Sequence, residues 1–136
     1  MEKKWSKSWK SSKQPRKQRK YGFNAPLHVR AKKISANLSK ELRKKYSKRT
    51  LPLRTGDRIK VLRGSHKGTL GKVEGKDLTN YKIFIKGVER KKKDGTSNPI
   101  PVDPSNVQIL ELNLEDKKRK QKLEKRNESS KKPSSA

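Results

Sequence analysis

The sequence has no cysteine, few hydrophobic residues and no long apolar run, and each of these excludes a class of protein. Without cysteine, the 136-residue chain has no disulfide framework and no thiolate metal site, which fits a reducing compartment. Hydrophobic residues are only 26% of the chain, far below the roughly 45–50% apolar usage of ordinary globular domains, so one core cannot include every segment. No apolar run approaches the roughly 20 residues that span a bilayer, and we expect neither membrane insertion nor a secretory signal.

Acidic residues are also scarce, since 13 Asp and Glu oppose 40 Lys and Arg and leave a net charge of +27. A charge of this size on so short a chain favours a polyanionic partner. The net charge is +16 over residues 1–50, +6 over 51–112 and +5 over 113–136, whereas Leu, Ile and Val concentrate in 51–112. We therefore expect a basic tail over 1–20, a basic strap with a short helix over 21–50, a compact domain over 51–112, and a basic helix and tail over 113–136.

The segment 51–112 shows the two-residue alternation that is typical of half-buried strands. Asp94-Gly95 marks a hairpin tip, and Pro99 and Pro101 confine the fourth strand to a sheet edge. Short strands joined by glycine-bearing turns, with no helix between them, predict a mostly β fold built as a small antiparallel barrel. The predicted strands cover 57–61, 70–73, 81–85, 100–102 and 107–109.

The flanking arms predict helices rather than strands. Ser39 can cap a short helix that ends at Tyr46, with basic residues in its last turn. Asn113 can cap a helix from Leu114 to about Asn127. This helix is polar nearly all round, so it is stable only when docked. Residues 1–20 show no periodicity, and we expect them to be unstructured.

The loop that joins the first two predicted strands is the strongest candidate site. It contains three glycines among basic residues, between Arg63 and Lys72. Gly64 and Gly68 would let the backbone approach a phosphate, and Arg63, Lys67 and Lys72 would neutralise its charge. A nucleotide-binding P-loop is excluded, because a valine follows Gly71-Lys72 where that motif needs Ser or Thr. A tight hairpin whose glycines serve only the turn explains the pattern equally well, and both interpretations stay open.

The sequence offers no catalytic or metal-binding constellation. His28 and His66 have no acidic residues or cysteines at ligand spacing, and no nucleophile, base and orienting group are combined. We expect no enzymatic activity, no cofactor, no metal and no small-molecule substrate. Trp5 and Trp9 lie far from the predicted core, which favours contact with RNA or a partner, whereas Tyr21 and Phe23 could simply pack against the barrel.

Residues 55–73 resemble the KOW motif, in which a glycine follows a basic strand. Together with 19–30, 38–46 and 51–54, they resemble one family: the KOW-domain large-subunit ribosomal proteins numbered twenty-four in bacteria and twenty-six in eukaryotes. The long amino-terminal strap is similar to the archaeal and eukaryotic form. The resemblance covers roughly residues 14–126.

The resemblance implies an SH3-like barrel and a structural protein of the cytoplasmic ribosome. It implies binding to large-subunit rRNA near its 5′ end, a role in subunit assembly, a position near the exit of the peptide tunnel, and neighbouring large-subunit proteins as partners. By the same resemblance the RNA-binding residues of the barrel are Arg58, Lys60, Arg63, Gly64, His66, Lys67, Gly68 and Lys72. Those of the strap and tail are Arg16, Arg19, Lys20, Arg30, Lys32, Lys33, Arg43, Arg49 and Arg54.

A transcription elongation factor that docks a KOW barrel on RNA polymerase is the alternative function. Such factors usually carry a second α/β domain, for which this chain has little room.

Overall fold

The computed structural model describes residues 5–131, which combine helices with a six-stranded sheet. The architecture is mixed α/β, so the expectation of a mostly β fold is not confirmed. The helices are α1 (Pro15–Asn24), α2 (Leu27–Lys33), α3 (Lys40–Tyr46) and α4 (Lys117–Lys131), with 3-10 helices at Lys7–Ser11 and Pro104–Asn106. The strands are β1 (Ser35–Leu38), β2 (Thr50–Pro52), β3 (Arg58–Val61), β4 (Leu70–Asp77), β5 (Lys82–Ile85), β6 (Glu89–Lys91), β7 (Ser97–Pro99) and β8 (Val107–Glu111).

The six-stranded sheet is open, so the predicted closed barrel is not confirmed. Its order is β2-β1-β8-β3-β4-β5, and β6 and β7 form a separate hairpin. All neighbours are antiparallel except β1 and β8, which are parallel. The strap supplies β1, because Ala36 and Leu38 are buried and alternate with half-buried Ser35 and Asn37. Four alternating residues are too few to separate a strand from a loop in the sequence.

The hydrophobic core lies against one face of this sheet. In β3 the buried residues Ile59 and Val61 alternate with exposed Arg58 and Lys60, as the sequence predicts. Residues Val107 and Ile109 of β8 are fully buried opposite them. Leu123 of α4 completes the same core, so the polar carboxy-terminal helix is docked.

Several predicted elements are confirmed and others differ. Helix α3 is capped by Ser39, whose hydroxyl accepts a hydrogen bond from the backbone N–H of Leu42. Strand β4 extends four residues beyond the predicted end, to Asp77. The segment 100–102 forms only a single bridge, between Val102 and Ile83, because Pro99 and Pro101 donate no backbone hydrogen bond.

Both arms also differ in detail. Helix α4 begins at Lys117 rather than at residue 114, with the Asp116 carboxylate accepting from the N–H of Lys118. The amino-terminal tail contains a 3-10 helix and the start of α1, so the expectation of an unstructured tail is wrong there. Residues 1–4 and 132–136 of the predicted tails lie outside the described part of the chain.

Candidate nucleic-acid interface

Three predicted RNA-binding residues lie together on the outer sheet face, which we define as Arg58, Lys60 and Lys72. Arg58 and Lys72 are cross-strand partners in β3 and β4, and Lys60 stands two residues along from Arg58 on the same side. Arg58 forms an ion pair with Glu111, with 3.1 Å between nitrogen and oxygen. Within residues 5–131, Lys60 and Lys72 have no ion pair, so their charges are available to a ligand.

The basic loop (residues 62–69) joins these two strands and is held by its own backbone. The N–H of Gly68 donates to the Val61 carbonyl at 2.8 Å, and the N–H of Lys67 donates to the Gly64 carbonyl at 3.2 Å. Gly64 and Gly68 have φ angles of 95° and 88°, which other residues adopt only with strain. A Cβ at either position would meet no atom within 4 Å.

The glycines of the basic loop therefore serve the turn, and the space above them is open to a ligand. Arg63 and Lys67 are exposed at this opening, and His66 is half-buried beside them. The loop thus presents cations beside open space, while phosphate contact itself stays a prediction.

Two arginines of the strap bind their own backbone. Nε of Arg30 donates to the Ala25 carbonyl at 2.8 Å, and its terminal nitrogen donates to the Phe23 carbonyl. Nε of Arg43 donates to the Leu38 carbonyl at 2.9 Å. In the free chain these two predicted phosphate ligands therefore stabilise the junctions between neighbouring elements.

Of the other predicted cations of the tail and strap, some contact a carboxylate or an aromatic ring and others do not. Arg54 pairs with Asp116 at 2.6 Å, and Nζ of Lys20 lies 4.9 Å from the ring centre of Trp9. Nζ of Lys33 lies 4.8 Å from the ring centre of Tyr21, and burial lowers the pKa of Lys33. The members that are exposed and have no ion pair in the described chain are Arg16, Arg19, Lys32 and Arg49.

The amino-terminal aromatic residues contact their own chain. Nε1 of Trp5 donates to the Tyr21 carbonyl at 3.2 Å, and the two ring centres are 5.4 Å apart. The hydroxyl of Tyr81 donates to the Gly22 carbonyl, which fastens α1 to the end of the sheet. Tyr21 is buried as one sequence interpretation expects, but Phe23 is 64% exposed. Phe23 is therefore the ring that α1 leaves accessible.

The sequence carries no signal for the most buried charged pair of the described chain. Asp57 is fully buried, and both of its oxygens lie 2.7 Å from the guanidinium nitrogens of Arg119. The remaining acceptor positions of Asp57 bind the backbone N–H groups of Asn113 and Arg54. Asp57 and Arg119 are 62 positions apart in the chain, and no local pattern connects them.

Between residues 5 and 131, no three His, Asp or Glu side chains are grouped so that they could hold a metal ion. In the same range, no helix is long and apolar enough to cross a membrane.

The sheet, with its basic loop, its outer face and the basic helices around it, is that of a small protein with an exposed, strongly basic surface. A family model that describes ribosomal proteins L26 of eukaryotes and L24 of archaea matches residues 12–126. The chain belongs to this family, in agreement with the archaeal and eukaryotic form that the sequence resembles.

Two curated relatives cover most of the chain. "Large ribosomal subunit protein uL24" of Methanospirillum hungatei is 54% identical over 112 residues, which are 82% of this chain and 93% of the relative. The protein of the same name from Korarchaeum cryptofilum is 50% identical over 115 residues, which are 85% of this chain and 88% of the relative. Family membership places the chain in the cytoplasmic ribosome and implies a structural rather than an enzymatic role.

Proposed function

We propose that the protein is a structural component of the large ribosomal subunit and binds its rRNA near the 5′ end. In this proposal it supports subunit assembly, contacts neighbouring large-subunit proteins and lies near the exit of the peptide tunnel. The names of the two relatives support the large subunit, and the resemblance of the sequence supports the finer location. The alternative elongation factor gains no support, because the family that matches is a ribosomal one.

One observation carries the RNA-binding part of the proposal: the outer sheet face and the basic loop present cations with little compensating acid. Lys60, Lys72, Arg63 and Lys67 are exposed and have no ion pair within residues 5–131. The backbone positions of Lys60 and Lys72 are set by the paired strands β3 and β4, and the loop that carries Arg63 and Lys67 is held by its own backbone hydrogen bonds. A rigid arrangement of cations loses little entropy when it binds phosphates, so affinity is gained without reordering the chain.

The test measures binding to two transcripts of the large-subunit rRNA of M. hungatei, one from the 5′ domain and one from the 3′ domain. We expect tighter binding to the 5′ transcript. The double variant Lys60→Gln/Lys72→Gln should weaken that binding, and the log–log salt slope should fall by about 0.7 to 0.9 for each phosphate that the variant no longer neutralises. Circular dichroism should show an unchanged fold, because both side chains are exposed.

The matched control is Lys91→Gln/Lys92→Gln, which removes the same charge from the hairpin of β6 and β7. We expect a smaller loss of affinity for this control. Equal losses for the two double variants would contradict a specific role of the outer sheet face. Equal binding to the two transcripts would contradict the 5′ location.

A further inference from the structure

A second basic surface lies on the side of the sheet where α4 crosses the edge strand β2. We call it the α4 groove: a cavity of about 470 Å³ with an apolar floor of Leu51, Pro52 and Leu123. Among the described residues, six basic side chains line its walls and no acidic one does. Four of these six, namely Lys48 and the three residues of α4, are not among the cations that the sequence predicts for RNA binding.

Two of the six basic residues are already neutralised. Arg54 pairs with Asp116 at 2.6 Å, and Arg119 pairs with Asp57 at 2.7 Å. The other four are lysines with no ion pair among residues 5–131: Lys32, Lys48, Lys118 and Lys122. Lys118 and Lys122 are four positions apart and so lie on the same face of α4.

Lys48 is a lysine of this groove whose charge is unfavourable in the free protein. It is half-buried, and its pKa is lowered first by this burial and then by the positive charges of Arg126 and Lys122. Like charges gathered around a partly desolvated ammonium destabilise the free chain, and a bound anion would remove that cost.

We propose that the α4 groove binds the phosphate backbone of rRNA, as a second contact separate from the basic loop and the outer sheet face. The proposal rests on the proposed function and names a further site for the same partner. Lysine ammonium groups bind phosphate as point charges. The groove supplies four of them, converging from α2, α4 and the residues just before β2.

The proposal predicts that Lys48→Gln has opposite effects on the melting temperature of the free protein and on its affinity for RNA. Removing the ammonium group relieves repulsion from Lys122 and Arg126, so the melting temperature of the free protein at low salt should rise. The same substitution removes a phosphate contact, so affinity for the 5′-domain transcript should fall several-fold. A lysine with a purely structural role would lower the melting temperature when replaced, and RNA affinity would follow it.

Lys122→Gln and Lys125→Gln form the matched pair on α4. Both remove one exposed charge from the same helix, but only Lys122 lines the groove. We expect Lys122→Gln to weaken RNA binding several-fold and to lower the log–log salt slope by about 0.7 to 0.9, with a smaller effect of Lys125→Gln. Equal effects of the two substitutions would overturn the proposal.

Other outcomes separate this site from the proposed function. Suppose that the wild-type protein binds the transcript and that Lys60→Gln/Lys72→Gln weakens this binding. If Lys48→Gln and Lys122→Gln then leave the binding unchanged, the groove proposal fails and the proposed function stands. If the wild-type protein did not bind the transcript, both the groove proposal and the proposed function would be contradicted. If poly-glutamate binds and Lys122→Gln abolishes only that binding, the groove is a site for acidic protein, which also overturns the proposal.

Discussion

At the scale of single residues, Asp57 connects the turn before β3 to two segments that are more than 50 residues away. Its carboxylate accepts from Arg119 of α4, from the N–H of Asn113 after β8 and from the N–H of Arg54 before β3. Arg119 in turn donates to the Asn113 and Pro52 carbonyls. No buried side-chain polar atom of the described residues lacks a hydrogen-bond partner, so the charge pair is fully satisfied, which is the condition under which burial is tolerated.

We predict that Asp57→Asn lowers the free energy of unfolding by about 3–5 kcal/mol, because it leaves the buried Arg119 guanidinium without its counter-ion. Urea denaturation measures the change. The control is Glu111→Gln, which breaks the exposed pair with Arg58 and should cost less than about 1 kcal/mol. Similar losses in the two variants would show that burial of the Asp57 pair is unimportant.

Gly71 is a residue at which glycine is required by packing rather than by the backbone angle. A Cβ at this position would lie 2.6 Å from the Lys86 carbonyl oxygen and 2.7 Å from Cγ2 of Ile85. We predict that Gly71→Ala lowers the free energy of unfolding by about 1–3 kcal/mol, because the backbone of the neighbouring segment must move.

Gly75 provides the control for that substitution, since it is in the same strand and the nearest atom to its Cβ would be 3.8 Å away. Gly75→Ala should change stability by only a few tenths of a kcal/mol. Thermal melts of the two variants give the comparison, and equal shifts in melting temperature would contradict the packing argument.

At the scale of elements, the sequence predicts those whose signals are local. Strand β3 alternates strictly over its length, and Ser39 stands at the start of α3 with basic residues at the other end. The tail helix α1 has no such periodic signal: it is rich in Lys and Arg, and its anchors are the distant residues Trp5 and Tyr81. Strand β1 lacks a local signal for the same reason, because its parallel partner β8 lies about 70 residues away.

The candidate site also contains both residues that the sequence can reveal and residues that it cannot. The glycines and cations of the basic loop are adjacent in sequence, so the pattern reveals them. The α4 groove is assembled from α2, α4 and the segment before β2, and composition alone cannot show that these cations meet. The roles of Arg30 and Arg43 depend on which carbonyls lie within reach, and this is decided by tertiary packing.

Among residues 117–128 of helix α4, only Arg119 and Leu123 have buried side chains, which makes the docking of the helix simple to test. Leu123 is 1% exposed and is the buried apolar anchor of the helix. We predict that Leu123→Ala lowers the free energy of unfolding by about 2–5 kcal/mol and reduces the helical signal in circular dichroism. Leu114 is 36% exposed, so Leu114→Ala should change the free energy of unfolding and the helical signal much less. A full helical signal in Leu123→Ala would show that α4 is stable without docking.

At the scale of the whole molecule, the net charge of +27 makes the free protein unfavourably charged, and the cost is concentrated where burial adds to repulsion. The α4 groove is such a place. Lys48 is faced there by Lys122 and Arg126 of α4, while Lys32, Lys118 and the paired Arg54 and Arg119 line the same cavity. The charge excess therefore lowers the stability of the free protein at this place, and under the proposed function a bound polyanion would remove that cost.

The lowered pKa of Lys48 predicts a pH dependence with a definite sign. The unfolded chain holds this proton to higher pH than the folded chain, so the destabilisation is fully present at neutral pH. It is lost as pH rises through the folded pKa towards the usual lysine value. Urea titrations of wild type and Lys48→Gln measure it: the stability advantage of the variant should shrink as pH approaches that value. A constant difference across this range would contradict the prediction.

The position of β8 in the sheet has a consequence for folding during translation. This strand sits between β1 and β3, yet its residues 107–111 are synthesised after all the other strands. Until they emerge, the pair of β1 and β2 has no strand that connects it to β3, and Asp57 has no Arg119. The complete six-stranded sheet and the Asp57–Arg119 pair can therefore form only once β8 and α4 have been synthesised, and until then the basic nascent chain is exposed to any nearby nucleic acid.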